Sequence, residues 1–310
     1  MTAIILLNWN GWTDTIACLE SLAKAEGDFF VVVADNNSSD DSLERLRHYV
    51  QNNGKLAVHI LPLDRNYGFA VGNNKALEYA YTLNPDSYFL LNNDTEVDPC
   101  FLTQILEFSK THQDYRALTP RINYFYENNL VWMCGGRLTF GSRERFYPDA
   151  DESEVREKVY IPITYISGCA LFFYPELLDC NHHLLSDRFF FGEEDFEFSL
   201  RMRELGVKMA CVTNAVIYHK ESVSQKKIQD KGNVGKHYSF YLGKMIGCRL
   251  YYGKLKFLLL KLLMYPKILM VFTRECDSFK SAVSLTDRLM RDVRHKYGIS
   301  CEDFWGYMRR

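Results

Sequence analysis

The sequence predicts an α/β protein built on an open, mostly parallel, Rossmann-like sheet flanked by helices, with a helical and basic extension at its C-terminal end. Three observations carry that prediction. Apolar β-type runs alternate with helical patterns over the first hundred residues, the signature of βαβ units. Short polar residues crowd the carboxyl ends of those runs. Charge is also divided unevenly: residues 231–310 carry 16 Lys and Arg against 6 Asp and Glu, net +10, whereas residues 1–230 carry 21 against 33, net −12.

The elements follow in order. Strands are predicted at 3–7, 29–34, 56–61 and 87–91, alternating with helices at 12–24, 40–51 and 69–82, joined by right-handed crossovers. Asp35-Asn36-Asn37-Ser38-Ser39-Asp40 is turn chemistry after a strand, with Ser39 or Asp40 a natural cap for the next helix. A helix is expected over 101–110, after which the pattern loosens into Tyr124-Phe125-Tyr126, Trp132-Met133-Cys134-Gly135-Gly136 and a polar, charged stretch at 141–158. Strand character returns over 159–174, a charged helix opens at about Glu193, and two short strands are expected at 208–212 and 214–218. Lys226, Lys227, Gly232 and Gly235 then interrupt the periodicity, which places a domain boundary at 235.

A chain of 310 residues that is 47% hydrophobic buries a substantial core, which excludes global disorder. Nine scattered cysteines with no C-x-x-C pair point to reduced thiols in a cytosolic setting. Ala3-Ile4-Ile5-Leu6-Leu7 enters strand-like sequence with no basic n-region, so no secretory signal is expected. The basic extension calls for an anionic partner. Between Leu255 and Phe272 the only charges are Lys256, Lys261 and Lys267, an apolar content that favours a membrane surface over nucleic acid. A spanning helix wants about 20 predominantly apolar residues, and three lysines with Pro266 make a poor one. An interfacial segment over 244–274 is therefore expected, the alternative being a cationic helix packed on the first domain.

In open α/β sheets ligands bind at the carboxyl ends of strands. The first strand ends in Asn8-Trp9-Asn10-Gly11 with no G-x-G-x-x-G, and no P-loop exists, which disfavours a nicotinamide or flavin enzyme. The phosphates of any bound nucleotide would need a divalent cation, Mg²⁺ or Mn²⁺. Leu91-Asn92-Asn93-Asp94 puts a carboxylate at such a strand end, and one or two carboxylates plus substrate phosphates suffice for these metals. Closing a turn is the plain alternative for Asp94. Glu193, Glu194 and Asp195 occupy a helix N-terminus, where the macrodipole favours carboxylates, and Glu197 with Arg201 makes an i,i+4 pair.

These segments, taken together, carry a resemblance. Leu7-Asn8-Trp9-Asn10, Asp35-Asn36-Asn37-Ser38-Ser39-Asp40, Asn66-Tyr67-Gly68-Phe69-Ala70-Val71-Gly72-Asn73-Asn74, Leu91-Asn92-Asn93-Asp94, Gly192-Glu193-Glu194-Asp195-Phe196 and Val216-Ile217-Tyr218-His219 occur in an order and spacing that resemble the family 2 glycosyltransferases. Within them the chain is most similar to the bacterial rhamnosyltransferase-type members. The resemblance covers residues 3–224. It implies a GT-A fold, a nucleotide-diphosphate sugar donor, a divalent metal and inversion at the anomeric carbon. It further implies a nucleotide-sugar-binding half at 1–99, an acceptor-binding half at 100–235 and a helical, basic-apolar region at 236–310.

Carried over by residue, the resemblance puts the donor's base and ribose near Asn8, Asn10, Asp35 and Asn36, with Asn66, Gly68, Asn92 and Asn93 lining the rest of the nucleotide-sugar. A carboxylate such as Asp35 can accept the imide N–H of uracil or thymine. Asp94 would hold the metal, with His219 as a further ligand. Asn92 replaces the first Asp of the family's D-x-D pattern, which removes one negative charge. Asp195 takes the role of the base that deprotonates the acceptor, and Glu194 positions the acceptor. The function so implied is inverting transfer from dTDP-rhamnose or a UDP-hexose to a hydroxyl of a glycan or lipid-linked acceptor, in cell-surface polysaccharide synthesis at the inner face of the cell membrane. Acceptor selectivity is expected within 120–165. A sugar-nucleotide nucleotidyltransferase is the second enzyme reading, although Asn8-Trp9-Asn10-Gly11-Trp12 lacks the basic glycine-rich loop such enzymes carry. A non-catalytic membrane-bound scaffold with the same fold is the third.

Overall fold

The computed structural model describes residues 1–220 and 233–309. Its first half is the predicted alternation. Strand β1 (Thr2–Asn8) lies between β2 (Phe29–Asp35) and β4 (Ser87–Asn92), with β3 (Val58–Pro62) outside β2, and all three pairings are parallel. Helices α1 (Trp12–Leu22), α2 (Ser42–Asn52) and α3 (Gly68–Tyr81) make the crossovers, and α4 (Phe101–Thr111) follows β4.

β1, β2 and β4 are buried on both faces, as unbroken apolar runs require in a parallel sheet, whereas β3 at the sheet edge is half-buried. Ile4, Leu6, Val31, Val33 and Phe89 face Cys18, Leu19 and Leu22 of α1 and Phe101 and Ile105 of α4. The alternate residues Ala3, Ile5, Val32 and Leu90 face Ala76, Leu77 and Ala80 of α3. β1, β2 and β4 end in the polar residues Asn8, Asp35 and Asn92.

The second half departs from the sequence reading in three places. Residues 115–124, taken above as part of a loosened region, form the strand β6 (Tyr115–Tyr124). Thr119, Arg121 and Asn123 hide its alternation, and all three are buried; Arg121 pairs with Glu152 at 3.0 Å, and Asn123 donates to the Asn128 carbonyl at 2.6 Å. The two strands expected at 208–212 and 214–218 are a single strand, β13 (Lys208–His219), whose register slips between Val212 and Val216 around the exposed Asn214. The 159–174 segment divides into β11 (Tyr160–Ile163) and β12 (Ala170–Phe173).

β12 enters antiparallel between β4 and β6, and β13 joins β6 in parallel and β5 (Thr95–Val97) in antiparallel fashion. The outer edge is closed by β7 (Leu130–Met133) and β10 (Ala150–Asp151). Strands β8 (Gly136–Thr139) and β9 (Ser142–Arg145) form a separate hairpin.

Helix α5 (Glu194–Glu204) ties the sheet to the C-terminal helices α6 (Asn233–Tyr251), α7 (Lys254–Glu275), α8 (Phe279–His295) and α9 (Cys301–Met308). Phe196 and Leu200 of α5 share a core with Leu242, Met245 and Ile246 of α6 and Ile268 and Phe272 of α7. The expected helical C-terminal region is thus present. Of the residues that marked its boundary, Lys226, Lys227 and Gly232 lie outside the described residues, and Gly235 stands in the first turn of α6. Pro266 is accommodated inside α7, which buries Leu260, Met264, Ile268 and Phe272 along one stripe. Among the described residues no helix is long and apolar enough to cross a membrane.

Candidate active site

The ends of β1 and β2 and the loop before α3 form one polar network. Asn8 Nδ2 donates to Asp35 Oδ1 at 2.7 Å, and its Oδ1 accepts from the Thr15 hydroxyl at 2.8 Å. Ser38 folds back onto Asp35, giving its hydroxyl to Oδ1 at 2.6 Å and its amide to Oδ2 at 3.1 Å. Asn10 takes a left-handed backbone conformation, φ +51°, tolerated by asparagine, and accepts the Ser39 amide at 2.7 Å. Asn36, at the start of the turn after β2, pins the next loop: its Oδ1 accepts the Tyr67 amide at 2.9 Å and its Nδ2 reaches Asn66 Oδ1 and the Gly68 carbonyl, both at 3.1 Å. Gly68 has φ +77°, and a Cβ there would lie 2.0 Å from the Phe190 carbonyl oxygen. Only glycine fits that passage.

The end of β4 joins the same floor. Asn93 Nδ2 donates to Thr15 Oγ1 at 2.9 Å, and the Asn92 amide donates to the Cys169 carbonyl at 2.8 Å. Beside them the Asp94 carboxylate stands 3.3 Å from His219 Nε2, with both side chains buried. The pairing of β13 with β5 sets this approach, since it places His219 opposite Thr95. Burial alone would lower the His219 pKa, but the pull of Cys169 and Asp94 outweighs it and holds the imidazole well above its ordinary value. Neither ring nitrogen of His219 makes a well-formed hydrogen bond. A carboxylate oxygen and an imidazole nitrogen this close could both serve as ligands to a divalent cation, with phosphate and water as its other ligands. Among the described residues no group of three or more His, Cys, Asp and Glu could hold a metal.

The second centre lies at the N-terminus of α5. Gly192 and Glu193 are consecutive left-handed residues, φ +88° and +70°, and they turn the chain so that Asp195 enters the first helical turn. The Tyr165 hydroxyl donates to Asp195 Oδ2 at 2.7 Å. Arg143, reaching in from β9, donates to both Glu193 oxygens at 2.9 and 2.8 Å, and its Nη2 is 4.0 Å from Asp195 Oδ1. The guanidinium also lies over Tyr165 and Phe196, 5.1 and 5.4 Å from their ring centres.

Burial lowers the Arg143 pKa, yet Asp195, Tyr165 and Glu193 outweigh it, so the guanidinium stays charged. Glu193 is raised by burial against the opposing pull of Arg143. Burial and then the neighbouring Asp195 push Glu194 up to about 8, and its buried Oε2 makes no hydrogen bond. Glu197 and Arg201 pair at 3.4 Å, as their spacing predicted.

The predicted residues therefore fall into three groups: the asparagine network with Asp35 and Gly68, the Asp94–His219 pair, and Asp195 with Glu194. The loop 167–169 stands between them. Cys169 bonds Asn92, while Gly168 passes so near Phe69 that a Cβ would lie 3.2 Å from its ring and 3.9 Å from Asp195 Cβ. Sequence reasoning did not single out Thr15, Ser38, Arg143 or Tyr165. Ser38 stood within a quoted turn, but Arg143 lay in the patternless 141–158 stretch, and only the fold of the hairpin brings it to Glu193.

A mixed sheet whose parallel strands end in short polar side chains, with a carboxylate-tipped helix beside them, is the architecture of the GT-A glycosyltransferases. The model of the family described as glycosyl transferase family 2 matches residues 3–178, more than half the chain, and the protein belongs to that family. No curated protein matches at a significant level. Among solved structures, a mannosyltransferase from Pyrobaculum calidifontis in complex with GDP-Man and Mn²⁺ is 12% identical with TM-score 0.58, over 94% of this chain and 74% of that one. GalNAc-T7 with UDP, GalNAc and Mn²⁺ is 16% identical with TM-score 0.59, over 96% of this chain and 58% of that one. Residues 1–349 of TarS from S. aureus, in complex with UDP, are 15% identical with TM-score 0.53, over 99% and 89%. At these identities the likeness is one of fold.

Proposed function

We propose that the protein is a metal-dependent, inverting glycosyltransferase that moves a sugar from a pyrimidine nucleotide-diphosphate donor to a hydroxyl of a glycan or lipid-linked acceptor in cell-surface polysaccharide synthesis. dTDP-rhamnose is the first donor to test and UDP-hexoses are the next. The observation that carries this reading is Asp195, bonded to the Tyr165 hydroxyl at 2.7 Å and facing the Arg143 guanidinium at 4.0 Å. A carboxylate held in one orientation by a tyrosine hydroxyl, with a fixed cation beside it, is placed to take a proton from a hydroxyl.

In the proposed reaction the acceptor hydroxyl gives its proton to Asp195 as its oxygen bonds the anomeric carbon, and the bond from that carbon to the diphosphate breaks. Asn8, Asn10, Asp35 and Asn36 would hold the nucleoside, with Asp35 accepting a pyrimidine imide N–H. Asn66, Gly68, Asn92 and Asn93 would line the diphosphate-sugar, and Glu194, protonated near neutral pH, would donate to the acceptor or its neighbours. Asp94 and His219 would hold Mg²⁺ or Mn²⁺, which supplies charge neutralisation at the diphosphate. The Mn²⁺ in the mannosyltransferase and GalNAc-T7 structures supports a divalent metal as the cofactor.

Calorimetric titration of UDP and dTDP tests the donor side. Asp94→Asn is expected to lower the Mn²⁺-promoted nucleotide affinity at least about tenfold, or 1.4 kcal/mol, with little change when the metal is absent. Equal affinities for wild type and variant in Mn²⁺ would remove the metal assignment.

A membrane surface as partner is supported by one face of α7. Opposite its buried stripe, Leu255, Leu258, Leu259, Leu262 and Leu263 are more than half exposed, among Lys254, Lys256 and Lys261. Within the expected 244–274 segment the buried residues Met245, Ile246 and Cys248 of α6 are core, which leaves α7 as the contact element. Lysine stems spread over such a face while their ammonium groups meet anionic headgroups. Replacing both Leu258 and Leu262 with Glu is expected to abolish sedimentation with anionic liposomes while retaining nucleotide binding; undiminished sedimentation would rule the surface out.

A further inference from the structure

The hairpin of β8 and β9 faces the corner between α6 and α7 across a cleft of about 950 Å³. Leu138, Thr139 and Phe140 form one wall, and Tyr251, Tyr252 and Leu255 form the other. The walls are braced against each other. Tyr252 stacks on Phe140 at 5.7 Å, accepts the Gly141 amide at 2.9 Å and donates to the Thr139 carbonyl at 3.3 Å. Gly141, with φ +71°, lets the turn pass Leu260, whose Cδ1 would lie only 2.2 Å from a Cβ. The cleft is of the size that encloses small ligands, about 300–1,000 Å³, and its aromatic and aliphatic lining favours hydrocarbon.

Its position gives it a use. On one side it opens beside Leu255, 83% exposed, onto the leucine face of α7. On the other side it is bounded by Arg203 and Glu204, the last residues of α5, the helix that carries Asp195 at its first turn. Two contacts couple the cleft wall to the same helix. Tyr251 donates to Glu197, and Arg143 of the hairpin holds Glu193. The rim carries Lys254 and Lys256 as well as Arg203, whose charge is shared with Glu204 at 3.4 Å, so it is positive on balance.

We propose that this cleft holds the hydrocarbon chain of a phosphate-linked lipid acceptor, which enters from the α7 face and rests its phosphate at the Lys254 and Lys256 rim. The inference rests on the acceptor side of the proposed function and narrows it to a lipid-linked substrate.

Equilibrium dialysis of the full chain against radiolabelled farnesyl phosphate, below its critical micelle concentration, tests it. Saturable binding is expected for the wild type, weakened at least tenfold by Thr139→Trp, which fills the cleft, and by Leu255→Asp, a substitution at an exposed position that leaves the core untouched. UDP with Mn²⁺ is titrated on the same samples and should bind all three proteins alike. Farnesyl phosphate that fails to bind saturably, or that binds both variants as well as the wild type, overturns the cleft assignment. Loss of UDP binding in the wild type would instead count against the donor reading.

Discussion

Asp195→Asn is expected to lower glycosyl transfer by about 10²- to 10⁴-fold, the contribution a positioned general base makes to a proton transfer, while the affinity for UDP with Mn²⁺ stays within a factor of two or so of wild type. Asparagine preserves the shape and can still accept the Tyr165 hydroxyl, so the hydrogen bond at Oδ2 survives. What it removes is the charge that faces Arg143 and the lone pair that takes the acceptor's proton. Tyr165→Phe provides the graded control: it deletes the donor to Oδ2 but keeps the base, and a smaller loss than that of Asp195→Asn is expected. Initial rates of nucleoside diphosphate release with acceptor present measure both. Turnover retained by Asp195→Asn would mean that another group takes the proton, and the reaction assigned to this end of α5 would have to be abandoned.

The parallel half of the fold was legible because β1, β2 and β4 are buried on both faces and read as unbroken apolar runs. Ile4, Ile5, Val31, Val32 and Phe89 are all fully buried. The strand-end residues were legible for the complementary reason: Asn8, Asp35, Asn36 and Asp94 are polar where the runs stop. β6 was not, because its buried Arg121 and Asn123 break the apolar pattern and are satisfied outside the strand, by Glu152, 31 positions away, and by the Asn128 carbonyl in the turn that follows. Arg143 was hidden by the same physics. Its partner Glu193 is 50 positions away, and a cation among exposed charges such as Arg137 and Glu144 carries no local mark of the burial it meets in the fold. The pairing of Asp94 with His219 needs the register of β13 on β5, which no local pattern encodes.

Arg143→Met is expected to destabilise the protein by about 3–5 kcal/mol, the usual consequence of removing one partner from a buried ion pair. Glu193 is 4% exposed and receives two hydrogen bonds from Arg143. Without them the other cation acting on it among the described residues is Lys244, whose own pKa is already lowered by burial. The effect must depend on pH in one direction. Burial raises the Glu193 pKa above its ordinary value and Arg143 opposes that rise, so in the variant the folded-state pKa climbs further. A carboxyl with a raised folded pKa contributes stability that is present below its unfolded pKa of about 4.3 and is lost as pH rises through the folded value. The deficit of Arg143→Met should therefore be small near pH 4 and widen toward neutrality, as chemical denaturation at several pH values would show. Adding Glu193→Gln removes the stranded charge and should recover most of the stability, a coupling that a double-mutant cycle isolates. Activity should not recover with it, because Asp195 still lacks the cation 4.0 Å away. If the double variant stayed as unstable as Arg143→Met, packing of the guanidinium on Tyr165 and Phe196 would be its main contribution. If the stable double variant turned over at the wild-type rate, the hairpin would have no part in holding the base.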